Sequence, residues 1–158
     1  MRRTFANELY LIMKENPNVW LLTGDLGYMM WDQIQKDFPD RFVNCGASEQ
    51  AMMGIAVGLA LKGKVPFVYS ITPFLLRRPY ETIKLYLDVE GVPVKLVGSG
   101  RNKDYTHDGH SHDATDAAML LGTCPNVVQY FPETKEQIST ILKFMLKNNK
   151  PSFISLKR

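Results

Sequence analysis

The sequence predicts an α/β fold with three α/β/α layers around a mostly parallel central sheet. Short runs rich in valine, leucine and isoleucine alternate with longer amphipathic segments, which is typical of parallel strands connected by crossover helices. The 158 residues, 45% of them hydrophobic, are enough for one hydrophobic core, and no repeat, low-complexity tract or linker divides them. We therefore expect a single domain over residues 1–158.

In the first half of the chain, hydrophobic spacing and turn residues indicate each element. Leu9 and Met13 recur at helical spacing in the first helix. Ser48 is a favourable N-cap for a long apolar helix, which the pair Lys62-Gly63 ends. The predicted elements are helices over 5–15, 31–38 and 49–61 and strands over 19–23, 42–44 and 66–69.

The second half continues the alternation of apolar and amphipathic segments. A loop of polar residues over 101–113 interrupts it. The predicted elements are helices over 78–90, 116–121 and 133–147 and strands over 92–97, 127–130 and 152–156.

Charge and cysteine content exclude several functional classes. The net charge of +3 comes from 19 basic and 16 acidic residues spread along the chain, so no nucleic-acid-binding surface is predicted. Cys45 and Cys124 lack CxxC or metal-type spacing, which favours free thiols in a reducing compartment. The longest apolar stretch, over 51–61, is about half the length of a membrane span. With no signal-peptide pattern at the N-terminus, the sequence predicts a cytoplasmic protein without a membrane segment.

Polar side chains stand out in three turns that follow predicted strands. Ligands of an open parallel sheet bind at the carboxyl ends of the strands, so polar groups in these turns are the strongest candidates for a site. The turns contain Asp25 in TGDLG, Glu49 in CGASEQ, and the segment HDGHSHD over 107–113.

The helix that begins at Glu49 has two unusual features. It carries no further charge through Leu61, which places the Glu49 carboxylate in apolar surroundings. An acidic residue in the first turn also complements the helix dipole, so a purely structural role stays open. Gly54 and Gly58 each cost about 1 kcal/mol of helix stability relative to alanine. They indicate either close packing of another helix or subunit on that face, or looser local packing.

The segment GASEQAMMGIAVGLALKG resembles the G-x-x-E-x-x-M-x-G-x-A-x-G-L-A segment of transketolases, deoxyxylulose-phosphate synthases and the β subunits of 2-oxoacid dehydrogenase E1 components. In that family the glutamate hydrogen-bonds N1′ of the aminopyrimidine of thiamine diphosphate and thereby helps to remove the thiazolium C2 proton. The resemblance continues over nearly all of residues 20–158. It implies a pyrimidine-binding domain in which Glu49 is both a cofactor-binding and a catalytic residue.

Two further segments extend this resemblance. TGDLG is similar to the family's (S/G)ADLG turn, which implies that Asp25 borders the cofactor; a turn aspartate that caps local structure is the alternative. SITPFLLRRPYETIK resembles the segment whose aromatic side chain packs against the aminopyrimidine. Phe74 is the candidate for that contact, and Arg78 and Tyr80 nearby are further candidates for cofactor binding. The alternative is that Phe74 belongs to the hydrophobic core. The neighbouring arginines Arg77 and Arg78 are compatible with a solvated surface. If they lie in a cleft instead, Arg77 is the candidate to bind a phosphate or carboxylate group of the substrate.

HDGHSHD resembles the family's E-D-G-x-T-H-Q motif. This implies substrate contacts for Asp108 and His112, with His112 assisting proton or oxyanion chemistry on a donor sugar. His107 and His110 depart from the motif and leave the donor specificity open. Three histidines and two aspartates in this segment also permit a zinc site or a solvated polar loop. We predict no metal site in this chain.

The sequence lacks a match to the motif that binds magnesium and diphosphate in this family. That motif is G-D-G…N, whereas Asp108-Gly109 has no preceding glycine. The chain also stops at Arg158, where transketolases continue into a C-terminal domain. The resemblance therefore implies that thiamine diphosphate is shared with a diphosphate-binding partner subunit, which holds Mg²⁺, in an α2β2 assembly.

These features favour a transketolase-type subunit that transfers a two-carbon ketol unit between sugars or sugar phosphates. A two-chain 2-oxo acid decarboxylase or a 2-oxoacid dehydrogenase E1 β-type component is the alternative enzyme. The alternative of another class is a non-catalytic scaffold or regulatory domain, which the presence of Glu49, Asp25 and His112 disfavours.

Overall fold

The computed structural model describes all 158 residues and confirms the α/β prediction. Its centre is a six-stranded sheet in the order β2-β1-β3-β4-β6-β5, and every neighbouring pair of strands is parallel. The carboxyl ends of all six strands therefore meet at one edge of the sheet, and the amino ends meet at the other. The strands are β1 (Val19–Thr23), β2 (Phe42–Asn44), β3 (Val65–Ile71), β4 (Lys95–Ser99), β5 (Val128–Tyr130) and β6 (Ser152–Leu156).

Helices cover both faces of the sheet and give the three predicted layers. They are α1 (Arg2–Glu15), α2 (Asp32–Asp37), α3 (Glu49–Leu61), α4 (Thr72–Arg77), α5 (Tyr80–Thr82), α6 (Ala117–Gly122) and α7 (Gln137–Lys147). Successive side chains of a strand point to opposite faces. Phe67 and Tyr69 of β3 accordingly join one core with α1, α2 and α7, whereas Val68 joins a second core with α3, α4 and α6.

The chain between β3 and β4 differs most from the sequence prediction. One helix over 78–90 was expected, but α4 already begins at Thr72, and α5 continues into a π-helical segment, Ile83–Val89. Pro73 lies in the first turn of α4, where its missing N–H group costs nothing. Pro79 separates α4 from α5 because a proline inside a helix removes a backbone hydrogen bond.

One strand boundary also differs from the prediction, whereas both ends of α3 agree with it. β4 begins at Lys95, not at Val92, because Pro93 has no N–H group for the sheet ladder. Ser48 is the N-cap residue of α3, as predicted, although its side chain makes no capping hydrogen bond. Gly63 follows the end of α3 with a φ of +77°, as the Lys62-Gly63 prediction requires. None of the helices combines the length and apolarity that a membrane crossing demands.

Candidate active site

Glu49 is a buried carboxylate at the carboxyl edge of the sheet. It is the first residue of α3, which follows β2, and it is only 2% exposed. The Ser70 hydroxyl near the end of β3 donates to its Oε1 at 2.9 Å, and Nη1 of Arg78 donates to its Oε2 at 2.6 Å. A buried charge needs such partners, because an unpaired ion in the interior is costly. Both oxygens of Glu49 thus have one donor each.

The arginine that pairs with Glu49 also covers an aromatic ring. The guanidinium carbon of Arg78 lies 3.9 Å from the ring centroid of Phe74, which is a close cation–π contact. The imidazole of His112 meets the same phenyl ring edge-on, with 4.8 Å between centroids. Glu49, Arg78, Phe74 and His112 therefore form one continuous row of contacts from the buried carboxylate to the loop after β4.

The end of β1 closes the site on another side. A Cβ atom at Gly24 would lie 3.3 Å from both Glu49 Oε1 and Ser70 Oγ, so this backbone lies directly against the carboxylate. Asp25 follows with a φ of +58° and is exposed. The Asn44 amide group accepts from the backbone N–H of Asp25 at 3.1 Å and donates to its carboxylate at 2.9 Å. Asn44 therefore fixes the position of Asp25 beside Gly24.

Arg77 and Asp108 make their contacts away from Glu49. Arg77 pairs with Asp116 at 2.8 Å, and its guanidinium also donates to the backbone carbonyl of Asp113. Asp108 lies 3.1 Å from His107 in an exposed part of the loop. Neither side chain forms a hydrogen bond or an ion pair with a residue of the row that runs from Glu49 to His112.

Tyr80 also has a partner outside that row. Its hydroxyl group hydrogen-bonds to the Thr123 side chain, which itself donates to the backbone carbonyl of Leu120. The ring of Tyr80 packs against the core that contains α3. These contacts join α5 to the end of α6.

The histidine-containing loop forms two short 3₁₀ turns, Thr106–Asp108 and His110–His112. Asp113 receives hydrogen bonds from the backbone N–H and hydroxyl groups of Thr115, and these lower the pKa of its carboxyl group. No three histidine, cysteine, aspartate or glutamate side chains of the chain come together in a cluster that would hold a metal ion.

The structure adds three residues to the site that sequence reasoning missed. Ser70 and Asn44 hold Glu49 and Asp25, as described above. Tyr105 lies beside His112 with 6.2 Å between ring centroids, and its hydroxyl group hydrogen-bonds to Ser99 at 2.9 Å. A signal was present for Ser70, since a hydroxyl group at the end of the apolar strand VPFVYSI is unusual.

The sequence matches the family described as transketolase, pyrimidine binding domain, over residues 1–158. It is 32% identical over 149 residues to a putative transketolase C-terminal section of Methanocaldococcus jannaschii, covering 91% of this chain and 47% of that protein. It is 27% identical to the 6-deoxy-6-sulfo-D-fructose transketolase subunit of a Clostridium species, covering 100% of this chain and 49% of the relative. The chain spans about half the length of these curated relatives.

Solved structures agree with this assignment. A split-gene transketolase described as an inactive β4 tetramer superposes with a TM-score of 0.86 at 29% identity, covering 99% of this chain and 51% of that chain. The transketolase of Campylobacter jejuni superposes with a TM-score of 0.88 over 99% of this chain and 25% of that chain, and its 18% identity supports the fold alone. The chain therefore belongs to the transketolase pyrimidine-binding domain family.

Proposed function

We propose that this domain supplies the aminopyrimidine side of a thiamine diphosphate site in a transketolase-type enzyme, which transfers a two-carbon ketol unit between sugars. The observation that carries the proposal is Glu49, a carboxylate that is 2% exposed yet lies at the ligand-binding edge of a parallel sheet. Family membership and relatives named as transketolase subunits support the reaction class.

The residues around Glu49 fit an aminopyrimidine ring. The ring is flat and nitrogen-rich, so it requires a hydrogen-bonding group at its edge and an apolar face. Glu49 provides the first and Phe74 the second, and the two are linked through Arg78. Gly24 leaves the space beside the carboxylate free of a side chain.

Each residue of the site has a distinct task in this proposal. Thiamine diphosphate, when bound, supplies the carbon nucleophile that attacks a ketose carbonyl. Glu49 shares a proton with the ring nitrogen, and Ser70 holds the carboxylate in position with a 2.9 Å hydrogen bond. Phe74 packs against the ring, and Asp25 borders the cofactor at the end of β1.

Substrate contacts are assigned to the loop after β4. His112 lies against Phe74, where an imidazole is able to exchange a proton with a sugar hydroxyl group or stabilise an oxyanion. Asp108 and Arg77 are expected to bind a sugar or a sugar phosphate, and their contacts with His107 and Asp116 must then be exchanged for contacts with the substrate. Tyr80 supports the position of α5 beside the cofactor site.

The diphosphate and Mg²⁺ are assigned to a partner subunit in an α2β2 assembly. No G-D-G…N motif occurs in this chain. The outer face of α3, next to Glu49, is suited to such an assembly. Gly54 and Gly58 are exposed there with nothing within 4 Å of an added Cβ atom, and Ile55 and Leu61 are 44% and 68% exposed. Glycines on an exposed apolar helix face allow a second helix to approach closely.

The proposal is tested by purifying the chain together with a diphosphate-binding protein encoded beside its gene and by titrating the mixture with thiamine diphosphate. We expect saturable binding that is much tighter than either protein shows alone, and transfer of a two-carbon unit from a ketose phosphate to an aldose phosphate. Release of CO₂ from 2-oxo acids without sugar transfer would contradict the transketolase chemistry and favour a decarboxylase. Absence of binding in the mixture would contradict the cofactor site.

A further inference from the structure

Arg78 makes the two contacts that the proposed function assigns to the aminopyrimidine. Its Nη1 donates to Glu49 at 2.6 Å, and its guanidinium carbon lies 3.9 Å from the centroid of the Phe74 ring. A guanidinium group is flat, nitrogen-rich and able to donate from its edge while its face lies on an aromatic ring. It therefore resembles an aminopyrimidine in the features that this site recognises.

The two groups are mutually exclusive because they need the same carboxylate oxygen and the same aromatic face. The side chain of Arg78 is 45% exposed, whereas that of Glu49 is 2% exposed, so the arginine lies between solvent and the carboxylate. A ligand that approaches Glu49 from solvent must first displace the guanidinium group.

The position of Arg78 in the chain allows this displacement without a change of fold. Arg78 is the C-cap residue of α4, immediately before the break at Pro79. Its guanidinium group has hydrogen-bonded contact with Glu49 alone, in contrast to Arg77, which is bound by both Asp116 and Asp113. Rotation about the side-chain bonds of Arg78 is sufficient to release it.

We propose that Arg78 occupies the aminopyrimidine position of the free domain and competes with the cofactor for Glu49 and Phe74. This inference rests on the proposed function, and it changes the role expected for Arg78 from a cofactor ligand to a competitor. The ion pair keeps the buried carboxylate neutralised while the site is empty of cofactor. Binding then replaces one flat, nitrogen-rich group by another, so the carboxylate always has a hydrogen-bonding partner.

The test measures binding of the isolated pyrimidine half of the cofactor, 4-amino-5-hydroxymethyl-2-methylpyrimidine, to the full chain by NMR titration. Arg78→Ala removes the competitor, and we expect it to bind the pyrimidine at least tenfold more tightly than the wild-type chain. Arg78→Lys keeps a charge for Glu49 but leaves the Phe74 face open, so its affinity should be intermediate. Arg3→Ala, which removes an exposed arginine of α1, is the matched control and should bind as the wild-type chain does.

A second measurement uses guanidinium ion as a replacement for the missing side chain. At concentrations of about 10 mM, well below the molar range that unfolds proteins, guanidinium should raise the melting temperature of Arg78→Ala but not that of Arg3→Ala. It should also compete with the pyrimidine for Arg78→Ala. Potassium ion at the same concentration controls for ionic strength.

The outcomes separate the two proposals. Wild-type affinity for the pyrimidine equal to or greater than that of Arg78→Ala would overturn the competitor role and leave the cofactor site intact. Absence of guanidinium rescue would also overturn that role. Rescue without pyrimidine binding to any variant would contradict the proposed function and identify the Glu49–Arg78 contact as a structural ion pair.

Discussion

Two buried charges at opposite edges of the sheet are held in different ways. Glu49, at the carboxyl edge, has two side-chain partners, and one of them, Arg78, is half-exposed. Lys95, at the amino edge, is 2% exposed and donates to the backbone carbonyls of Asn148 and Lys150 at 3.0 and 2.6 Å, and to the Asn148 side-chain oxygen at 3.3 Å.

The difference separates the proposed site at Glu49 from a structural contact at Lys95. The acceptors of Lys95 are mostly backbone carbonyls, which are fixed by the fold and cannot be exchanged for a ligand. Burial lowers the pKa of Lys95 to about 8, because the charged form is costly inside the protein. The partner of Glu49 is a half-exposed arginine side chain, as the proposed exchange with a ligand requires. A buried charge whose partner is exchangeable is a better indicator of a ligand-binding site than a buried charge held by backbone carbonyls.

The largest effect is expected from Glu49→Gln. In the proposed enzyme assembled with its partner, the substitution should lower kcat by about 10²–10⁴-fold, because an amide cannot share a proton with the proposed cofactor. The free energy of unfolding should fall by only about 1–2 kcal/mol, since the charge left on Arg78 reaches solvent. Steady-state kinetics and urea unfolding measure the two effects. The exposed Glu81→Gln is the control, and a Glu49→Gln enzyme with wild-type turnover would exclude the catalytic role.

Lys95→Met should show the opposite behaviour, with a loss of stability and little effect on turnover. At pH 7 the variant should lose about 2–4 kcal/mol, because buried carbonyl groups are left without donors. Urea unfolding of the isolated chain measures this loss, and the exposed Lys143→Met is the control. A Lys95→Met enzyme with strongly reduced kcat and normal stability would contradict the structural role assigned to Lys95.

The pH dependence of stability provides a second test at Lys95. The pKa is about 8 in the folded chain and near 10.5 in the unfolded chain. The unfolded chain therefore binds more protons between these values, so the contribution of Lys95 to the free energy of unfolding rises with pH in that range and is lost as pH falls through 8. The stability difference between the wild-type chain and Lys95→Met should grow by up to roughly 3 kcal/mol toward high pH. A constant difference between pH 7 and about 10 would contradict the assigned burial.

Gly24→Ala should have a smaller effect, confined to the carboxyl edge. Its Cβ atom would lie 3.3 Å from Glu49 Oε1 and Ser70 Oγ, so the carboxylate must shift. We expect a loss of about 1–2 kcal/mol in stability and weaker cofactor binding in the assembled enzyme, measured by thermal unfolding and calorimetry. Gly122→Ala adds a Cβ atom with nothing within 4 Å and is the control. Unchanged cofactor affinity for Gly24→Ala would mean that the carboxylate position is not critical.

The smallest effect, and the only gain, is expected from Gly54→Ala. In the isolated chain it should add about 0.5–1 kcal/mol of stability, because alanine favours a helix more than glycine. In the assembled enzyme it should weaken subunit association, since the added methyl group lies on the proposed interface beside Glu49. Analytical ultracentrifugation with the partner measures the association. Unchanged association would exclude the α3 face as the contact surface.

The sequence predicted the six strands and α3 because hydrophobic spacing is a local property of the chain. It did not predict α4, because two prolines in one short segment, Pro73 and Pro79, indicate a break in a helix. Pro73 is compatible with α4 only because the helix begins at Thr72, which places the proline in the first turn. The glycines of α3 illustrate the same limit. Their spacing indicated close packing or loose packing, and the structure shows that their face is open in the isolated chain.

By itself, the sequence determined the fold class, the family and the candidate role of Glu49, since these depend on short motifs and on the spacing of apolar residues. Only the tertiary structure decided that Arg78, twenty-nine residues away in the chain, pairs with that carboxylate and covers Phe74. It also decided that Lys95 binds backbone carbonyls from the end of α7 and the turn after it. The physical reason is that a buried charge must find partners in space, and residues far apart in sequence provide them.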